Sequence, residues 1–110
     1  ELWLDGAHNP TAAQTLAEAM PYPMHVVLGI LANKDVDAIV SALAPHALSF
    51  TFVPVADHAH HDPAELAERF TGRAASSLQD ALFDLPEPRL IAGSLYLAGE
   101  ALRLNDQAPD

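Results

Sequence analysis

The stretch D-G-A-H-N-P at Asp5–Pro10 separates a short apolar run, Leu2–Leu4, from a segment rich in alanine. The apolar run is typical of a strand, and the alanine-rich segment is typical of a helix. Asn9 is a favoured helix-capping residue and Pro10 a favoured first helical residue, so the turn between strand and helix is well specified. The start of a helix carries partial positive charge and unpaired N–H groups. The turn therefore predicts a contact with a phosphate or a nucleotide.

The rest of the chain alternates between strand-like and helix-like segments. Strands that alternate with helices form parallel sheets covered by helices on both faces. The sequence therefore predicts an α/β fold of three layers, with a mostly parallel sheet and a Rossmann-like architecture. Strands are predicted at 2–5, 24–30, 48–55, 74–75 and 89–92, and helices at 10–20, 35–43, 62–72, 77–85 and 94–104.

Composition limits the classes of function. The chain has 110 residues, half of them hydrophobic, which is enough for one domain with a single core. Its formal net charge of −10 argues against a nucleic-acid surface and against binding to an anionic membrane. The absence of cysteine excludes disulfides, thiolate metal sites and cysteine nucleophiles. No apolar run has the length of a membrane span and no leader pattern is present, so we expect a cytoplasmic domain. The acidic composition, with an edge that would face a second domain, predicts a monomer.

Polar residues follow four of the predicted strands, at the end where each strand finishes. In a parallel sheet these ends share one edge, and ligands bind in the crevice outside it. The edge collects an acid, several imidazoles, a hydroxyl and the only lysine of the chain, Lys34. The predicted functional site is therefore this edge, formed by the segments 5–9, 33–35, 57–62 and 93–94.

Three stretches together resemble one known family. D-G-A-H-N-P at 5–10, L-G-I-L-A-N-K-D at 28–35 and G-S-L-Y at 93–96 resemble the C-terminal domain of folylpolyglutamate synthase and dihydrofolate synthase, in the Mur ligase superfamily. They occur in the order of the family and span nearly the whole chain. We expect a domain of the Mur ligase C-terminal type at 1–104 and a flexible tail at 105–110.

The resemblance implies an ATP-dependent ligase that adds L-glutamate to the carboxylate of dihydropteroate or of a reduced folate. In that family the carboxylate takes the γ-phosphoryl group of ATP, with Mg²⁺, and the glutamate amine attacks the resulting acyl phosphate. The sequence contains no phosphate-binding loop of the form G-x-x-x-x-G-K-[ST]. We therefore expect that an N-terminal P-loop domain, with most of the magnesium ligands, completes the enzyme and that this chain alone is inactive.

Three residues of the first turn carry chemistry as well as local structure. Asp5 suits the hydroxyls of a ribose, as strand-end acids do in nucleotide folds, and it suits equally well a cap of its own loop. His8 can donate to a phosphate, position the carboxyl group that is activated, or fix the loop through a backbone hydrogen bond. Asn9 is first of all a helix cap. The resemblance implies ATP contacts for Asp5 and Asn9 and a catalytic role for His8.

Lys34 and Ser94 are the candidates for substrate binding. The compact charge of Lys34 suits a phosphate or a carboxylate, although a loop lysine is commonly only solvated. Ser94 suits either a substrate carboxylate or a plain helix cap. The resemblance implies that both bind glutamate, because related Mur ligases use a lysine in this region for their amino acid. The family often has an acid where Asn33 stands. Tyr96, one turn inside the last helix, is predicted to serve packing.

The stretch Asp57–Asp62 contains three histidines and two acids. Imidazoles and carboxylates at short spacing can bind zinc or nickel, but this spacing fits no structural zinc site. We therefore predict a solvated loop and no metal ligands. Because imidazole changes its charge near neutrality, the loop is expected to change charge between about pH 5 and 7.

Two other functions stay open. One is a sister Mur-type ligase that acts on a cell-wall precursor. The other is a non-catalytic regulatory module of flavodoxin-like or receiver-like shape, although Asp5 lacks the neighbouring acid that a phosphorylated receiver needs. Within the resemblance, dihydrofolate synthesis, polyglutamate extension and both together are all open, because the pterin-binding domain would decide among them.

Overall fold

A computed structural model describes residues 2–107 of the chain and the side chains of 2–104. Within these residues five strands and five helices alternate, with a short 3₁₀ turn at Ala44–His46 before the third strand. The strands are β1 (Leu2–Leu4), β2 (Met24–Leu28), β3 (Ala47–Phe52), β4 (Arg73–Ala74) and β5 (Arg89–Ala92). The helices are α1 (Pro10–Ala19), α2 (Val36–Leu43), α3 (Pro63–Arg69), α4 (Leu78–Phe83) and α5 (Leu95–Gln107).

The five strands form one parallel sheet in the order β1-β5-β2-β3-β4. After building β4 at one edge, the chain returns to the middle of the sheet, so β5 lies between β1 and β2. The segments that follow β1, β5 and β2 are therefore neighbours at the carboxyl edge of the sheet.

Both faces of the sheet are covered by helices. Val26 and Leu28 of β2 pack with α1, α2 and α3, whereas Val27 between them packs with α4 and α5. All three side chains are fully buried. A strand that is covered on both faces reads as a continuous apolar run, as β2 does. The predicted α/β fold with three layers and a parallel sheet is confirmed.

The helices α2 and α3 begin with side-chain caps at Asp35 and Asp62. The carboxylate of Asp35 accepts a hydrogen bond from the N–H of Ala38 at 3.1 Å, and that of Asp62 accepts one from the N–H of Ala64 at 3.0 Å. Each cap satisfies an N–H group that the first turn of a helix leaves unpaired.

α3 ends at Arg69, before the predicted end at 72. The residue with left-handed backbone is Thr71, at φ 56°, one position earlier. Gly72 serves a close approach instead, since a Cβ on it would stand 2.7 Å from the carbonyl oxygen of Phe50. Glycine is therefore needed at position 72 because the chain passes close to β3, and not because the helix ends there in a left-handed cap.

Several predicted element ends are displaced. β2 stops at Leu28, before the predicted end at 30, and the carbonyl of Ile30 accepts a hydrogen bond from the N–H of a loop residue, His61, at 2.9 Å. β3 stops at Phe52 instead of continuing to 55, and α4 is shorter than predicted at both ends. α5 continues through Gln107, beyond the predicted end at 104, because no helix-breaking residue follows until Pro109. The predicted tail residues 108–110 lie outside the described residues.

None of the helices in residues 2–107 combines the length and the apolar character that crossing a bilayer requires.

Candidate functional site

The turn after β1 is held by its own polar side chains. The carboxylate of Asp5 accepts a hydrogen bond from the N–H of Ala7 at 2.8 Å, and the side-chain oxygen of Asn9 accepts one from the N–H of Ala12 at 2.8 Å. The N–H of Asp5 donates to the carbonyl of Ile91 at 2.9 Å, which ties the turn to β5. Both side chains therefore fix local structure, as the simpler interpretation of each predicts.

His8 is oriented by a carbonyl group of the same turn. Its Nδ1 lies 2.9 Å from the carbonyl oxygen of Gly6. A carbonyl oxygen only accepts hydrogen bonds, so Nδ1 carries the hydrogen and donates it. Nε2 is then the nitrogen through which His8 can meet a ligand.

The turn after β5 depends on Gly93 and Ser94. Gly93 has φ +103°, and a Cβ on it would stand 2.7 Å from the carbonyl oxygen of Gly29. Ser94 is 1% exposed, and its hydroxyl oxygen accepts from the N–H groups of Tyr96 at 3.1 Å and Leu97 at 3.4 Å. The predicted helix cap is confirmed, and the hydroxyl hydrogen remains able to donate.

The turn after β2 carries Lys34. Its N–H donates to the carbonyl of Leu31 at 3.1 Å, which closes a tight turn directly before the Asp35 cap of α2. Lys34 is half-buried.

These three turns enclose a cleft of about 200 Å³. The cleft is lined by His8, Leu31, Lys34, Ser94, Leu95 and Tyr96. The structure thus brings together three of the predicted site residues, His8, Lys34 and Ser94, from three separate turns. Asp5 and Asn9 are not among the lining residues, although they belong to the turn that carries His8.

The chemistry of the cleft suits a small anion. The Lys34 ammonium and the hydroxyl of Ser94 can donate hydrogen bonds, Nε2 of His8 can donate when the imidazole is charged, and the start of α5 adds partial positive charge. The volume of about 200 Å³ lies below the roughly 300–1,000 Å³ of a complete small-molecule pocket. The cleft therefore fits one carboxylate-bearing group rather than a whole nucleotide.

Tyr96, which was predicted to serve packing, packs on a loop residue at the cleft and not in the core. The side chain is 54% exposed, lines the cleft and stacks on His58 with ring centroids 3.8 Å apart. The reason lies in helical spacing, because the buried positions of α5 are Leu97 and Ala101, and Tyr96 falls beside that stripe. The same spacing could have identified Tyr96 as a surface residue.

The segment Asp57–Asp62, named here the histidine loop, is more ordered than a solvated loop. His60 donates from Nδ1 to the carbonyl of His58 at 2.8 Å, and His61 donates from Nε2 to the carbonyl of Lys34 at 2.9 Å. All three histidines are half-buried. Within the part of the chain that the structure describes, no three histidine or acidic side chains are close enough to hold a metal ion.

The open parallel sheet, with a cleft at the carboxyl ends of its central strands, defines an α/β domain of the doubly wound class. Comparison of the sequence with known protein families identifies the family to which this domain belongs. The family model for the Mur ligase, glutamate ligase domain, matches residues 1–92, and the chain belongs to this family. The family resemblance predicted from the sequence is confirmed.

Named relatives agree. The curated folylpolyglutamate synthase of Lacticaseibacillus casei is 37% identical over 105 residues, which cover 86% of this chain and 24% of the relative. A structure of folylpolyglutamate synthase from Mycobacterium tuberculosis, complexed with ADP and AMPPCP, is 30% identical with a TM-score of 0.81, covering 99% of this chain and 30% of that one. The chain thus spans about a quarter of the length of the curated relative.

A more distant structure extends the comparison to the fold alone. Folylpolyglutamate synthase from Thermotoga maritima is 21% identical, with a TM-score of 0.83 over 94% of this chain and 27% of that one. The fold is therefore kept where four of every five residues differ.

Proposed function

We propose that this chain is the glutamate-binding domain of an ATP-dependent folylpolyglutamate synthase, which adds L-glutamate to the carboxylate of a reduced folate or of dihydropteroate. The observation that carries the proposal is the cleft in which His8, Lys34 and Ser94 converge, in a chain of the glutamate ligase family. The named relatives favour this ligase over a sister Mur-type ligase and over a receiver-like module.

Lys34 and Ser94 are proposed to hold glutamate. An ammonium group and a hydroxyl donor at the start of a helix suit a carboxylate, and each charge-assisted hydrogen bond is stronger than a neutral one. The apolar side chains of Leu31 and Leu95 border the same cleft and suit the methylene groups of the amino acid.

The turn after β1 is proposed to meet ATP. Asp5 uses one carboxylate oxygen on Ala7, so its other oxygen can accept from a ribose hydroxyl. Asn9 uses its oxygen on Ala12, so its amide hydrogens can donate. The nucleotide complex of the Mycobacterium tuberculosis relative supports nucleotide binding by this family.

The proposed reaction has two steps. A carboxylate oxygen of the folate bonds to the γ-phosphorus as the bond from that phosphorus to the ADP oxygen breaks. The glutamate nitrogen then bonds to the acyl carbon, phosphate leaves, and the amine loses a proton. The Nε2 of His8, when protonated, would donate to the phosphoryl group or to the carboxyl group being activated.

Magnesium ligands are not proposed for this chain, because its described residues bring no suitable acidic group together. We propose that Mg²⁺ is held by the ATP phosphates and by an N-terminal P-loop domain, against which this domain closes. The enzyme is proposed to be a cytoplasmic monomer with no nucleic-acid or membrane partner. The formal net charge of −10 supports the last point, since it repels phosphate groups.

The proposal is tested by replacing Lys34 with alanine in the complete ligase. Loss of hydrogen bonds to a charged substrate group is expected to raise the KM for glutamate by about tenfold or more and to leave the KM for ATP unchanged. The matched control is Arg73→Ala, which removes an exposed cation of β4. A glutamate KM that is equally high in both variants would remove Lys34 from the site.

The 110-residue chain gives a second test. Nuclear magnetic resonance titration with L-glutamate is expected to shift the signals of His8, Lys34 and Ser94. Shifts confined to other residues would place the glutamate site elsewhere. Glutamate-dependent ATP hydrolysis by this chain alone would contradict the requirement for a second domain.

A further inference from the structure

The histidine loop connects the two sides of the cleft. At one end His58 stacks on Tyr96, which belongs to α5. At the other end the loop runs beside the turn that carries Lys34 and pairs with it through an antiparallel bridge between Leu31 and His60. Both contacts are made to residues that line the cleft, Tyr96 and Leu31.

Most of the contacts between the loop and the Lys34 turn are made by backbone atoms. The N–H of Ala32 donates to the carbonyl of Ala59 at 3.0 Å, and the N–H of His61 donates to the carbonyl of Ile30 at 2.9 Å. Because both partners are backbone groups, these hydrogen bonds do not depend on the side chains of the loop. They hold the start of the turn but not its last residue, Lys34.

One side chain holds Lys34. Nε2 of His61 lies 2.9 Å from the carbonyl oxygen of Lys34, 27 positions away in the sequence. Since the carbonyl only accepts, Nε2 must carry a hydrogen, in the neutral as well as in the charged imidazole. The contact fixes the backbone from which the lysine side chain projects.

We propose that His61 is a positioning residue for Lys34, and this inference rests on the proposed function. A lysine side chain loses rotamer entropy when it binds, and a mobile backbone would add to that cost. By anchoring the Lys34 carbonyl, His61 reduces the number of positions that the ammonium group samples. Glutamate, which Lys34 binds, is the substrate whose affinity depends on His61.

The loop supplies its own controls. The imidazole of His60 donates to the carbonyl of His58, inside the loop, so a His60→Ala variant removes an imidazole and keeps the backbone bridge between His60 and Leu31. A His61→Gln variant keeps an N–H donor near the position of Nε2. His61→Ala removes the donor altogether.

The experiment is a double-mutant cycle between His61 and Lys34 in the complete ligase, with KM for glutamate, KM for ATP and kcat measured for each variant. His61→Ala is expected to raise the glutamate KM about three- to tenfold, the value of one hydrogen bond, with the ATP KM and kcat unchanged. His61→Gln should restore the glutamate KM, and His60→Ala should leave it unchanged. In the Lys34→Ala background, His61→Ala should have no further effect, because a positioning residue acts through its target.

Two results would overturn the inference. One is an effect of His61→Ala that is fully additive to that of Lys34→Ala, and the other is an equal rise in the KM of both substrates, which a general structural role would give. A failure of the proposed function looks different, since Lys34→Ala itself would then leave the glutamate KM unchanged. Thermal unfolding of His61→Ala checks that the variant is folded, and His61→Gln tests the donor if it is not.

Discussion

The two edges of the sheet use polar side chains in different ways. At the amino edge, the Ser49 hydroxyl and Nδ1 of His25 share a hydrogen bond of 2.8 Å between β3 and β2, so the two groups satisfy each other. At the carboxyl edge, His8 and Ser94 bond to backbone groups of their own turns, and their remaining hydrogen-bonding capacity faces a shared cleft. At the carboxyl edge, side chains held by backbone bonds thus keep capacity for a ligand, whereas at the amino edge two polar side chains bond to each other.

The largest effect is expected at the carboxyl edge, from Gly93→Ala. Alanine is strained at the backbone angle of this position, φ +103°. Its Cβ would also lie only 2.7 Å from the carbonyl oxygen of Gly29. The two costs together are expected to lower the free energy of unfolding by about 2–4 kcal/mol. Urea denaturation of the 110-residue chain measures it.

The control for this substitution is Gly99→Ala in α5. A Cβ there would find no atom nearer than 3.7 Å, and alanine is the better helix former. This variant is expected to gain up to about 1 kcal/mol of stability. Equal losses in both variants would show that the tight backbone at Gly93 is not the cause.

The next effect concerns the helix caps at Ser94 and Ser77. Each hydroxyl accepts a hydrogen bond at the start of its helix, α5 for Ser94 and α4 for Ser77, so alanine at either position is expected to cost about 1 kcal/mol. Only Ser94 lines the cleft, and only Ser94→Ala should weaken glutamate binding in the titration. Weaker binding in both variants would indicate an effect of stability rather than of contact.

Local rules in the sequence predicted most of the fold. Apolar runs and caps such as Asn9 and Ser94 depend on neighbours within a few residues, and these predictions are confirmed. The order of strands, with β5 between β1 and β2, depends on packing across the whole chain, which local patterns do not contain. The element ends were displaced where non-local contacts intervene, as at Ile30, which bonds to His61.

The candidate site could be predicted only in part, because local patterns place residues at an edge of the sheet but do not give their contacts. His8, Lys34 and Ser94 could be placed at one edge because parallel strands share their carboxyl ends. Their meeting in one cleft without Asp5 and Asn9 required the actual turn geometry. The contact of His61 with Lys34 joins residues 27 positions apart, and no periodicity in the sequence indicates it.

The smallest expected effect lies at the amino edge. Ser49→Ala removes the partner of His25, and the loss of one partly buried hydrogen bond is expected to cost about 0.5–1.5 kcal/mol. Ser41→Ala, at an exposed position of α2, is the control and should change stability by no more than about 0.5 kcal/mol. Because the His25–Ser49 pair lies at the opposite edge from the cleft, glutamate binding should be the same in both variants. A weaker glutamate affinity in Ser49→Ala alone would show that the two edges are energetically coupled through β2 and β3, and the distinction between a structural and a functional edge would no longer hold.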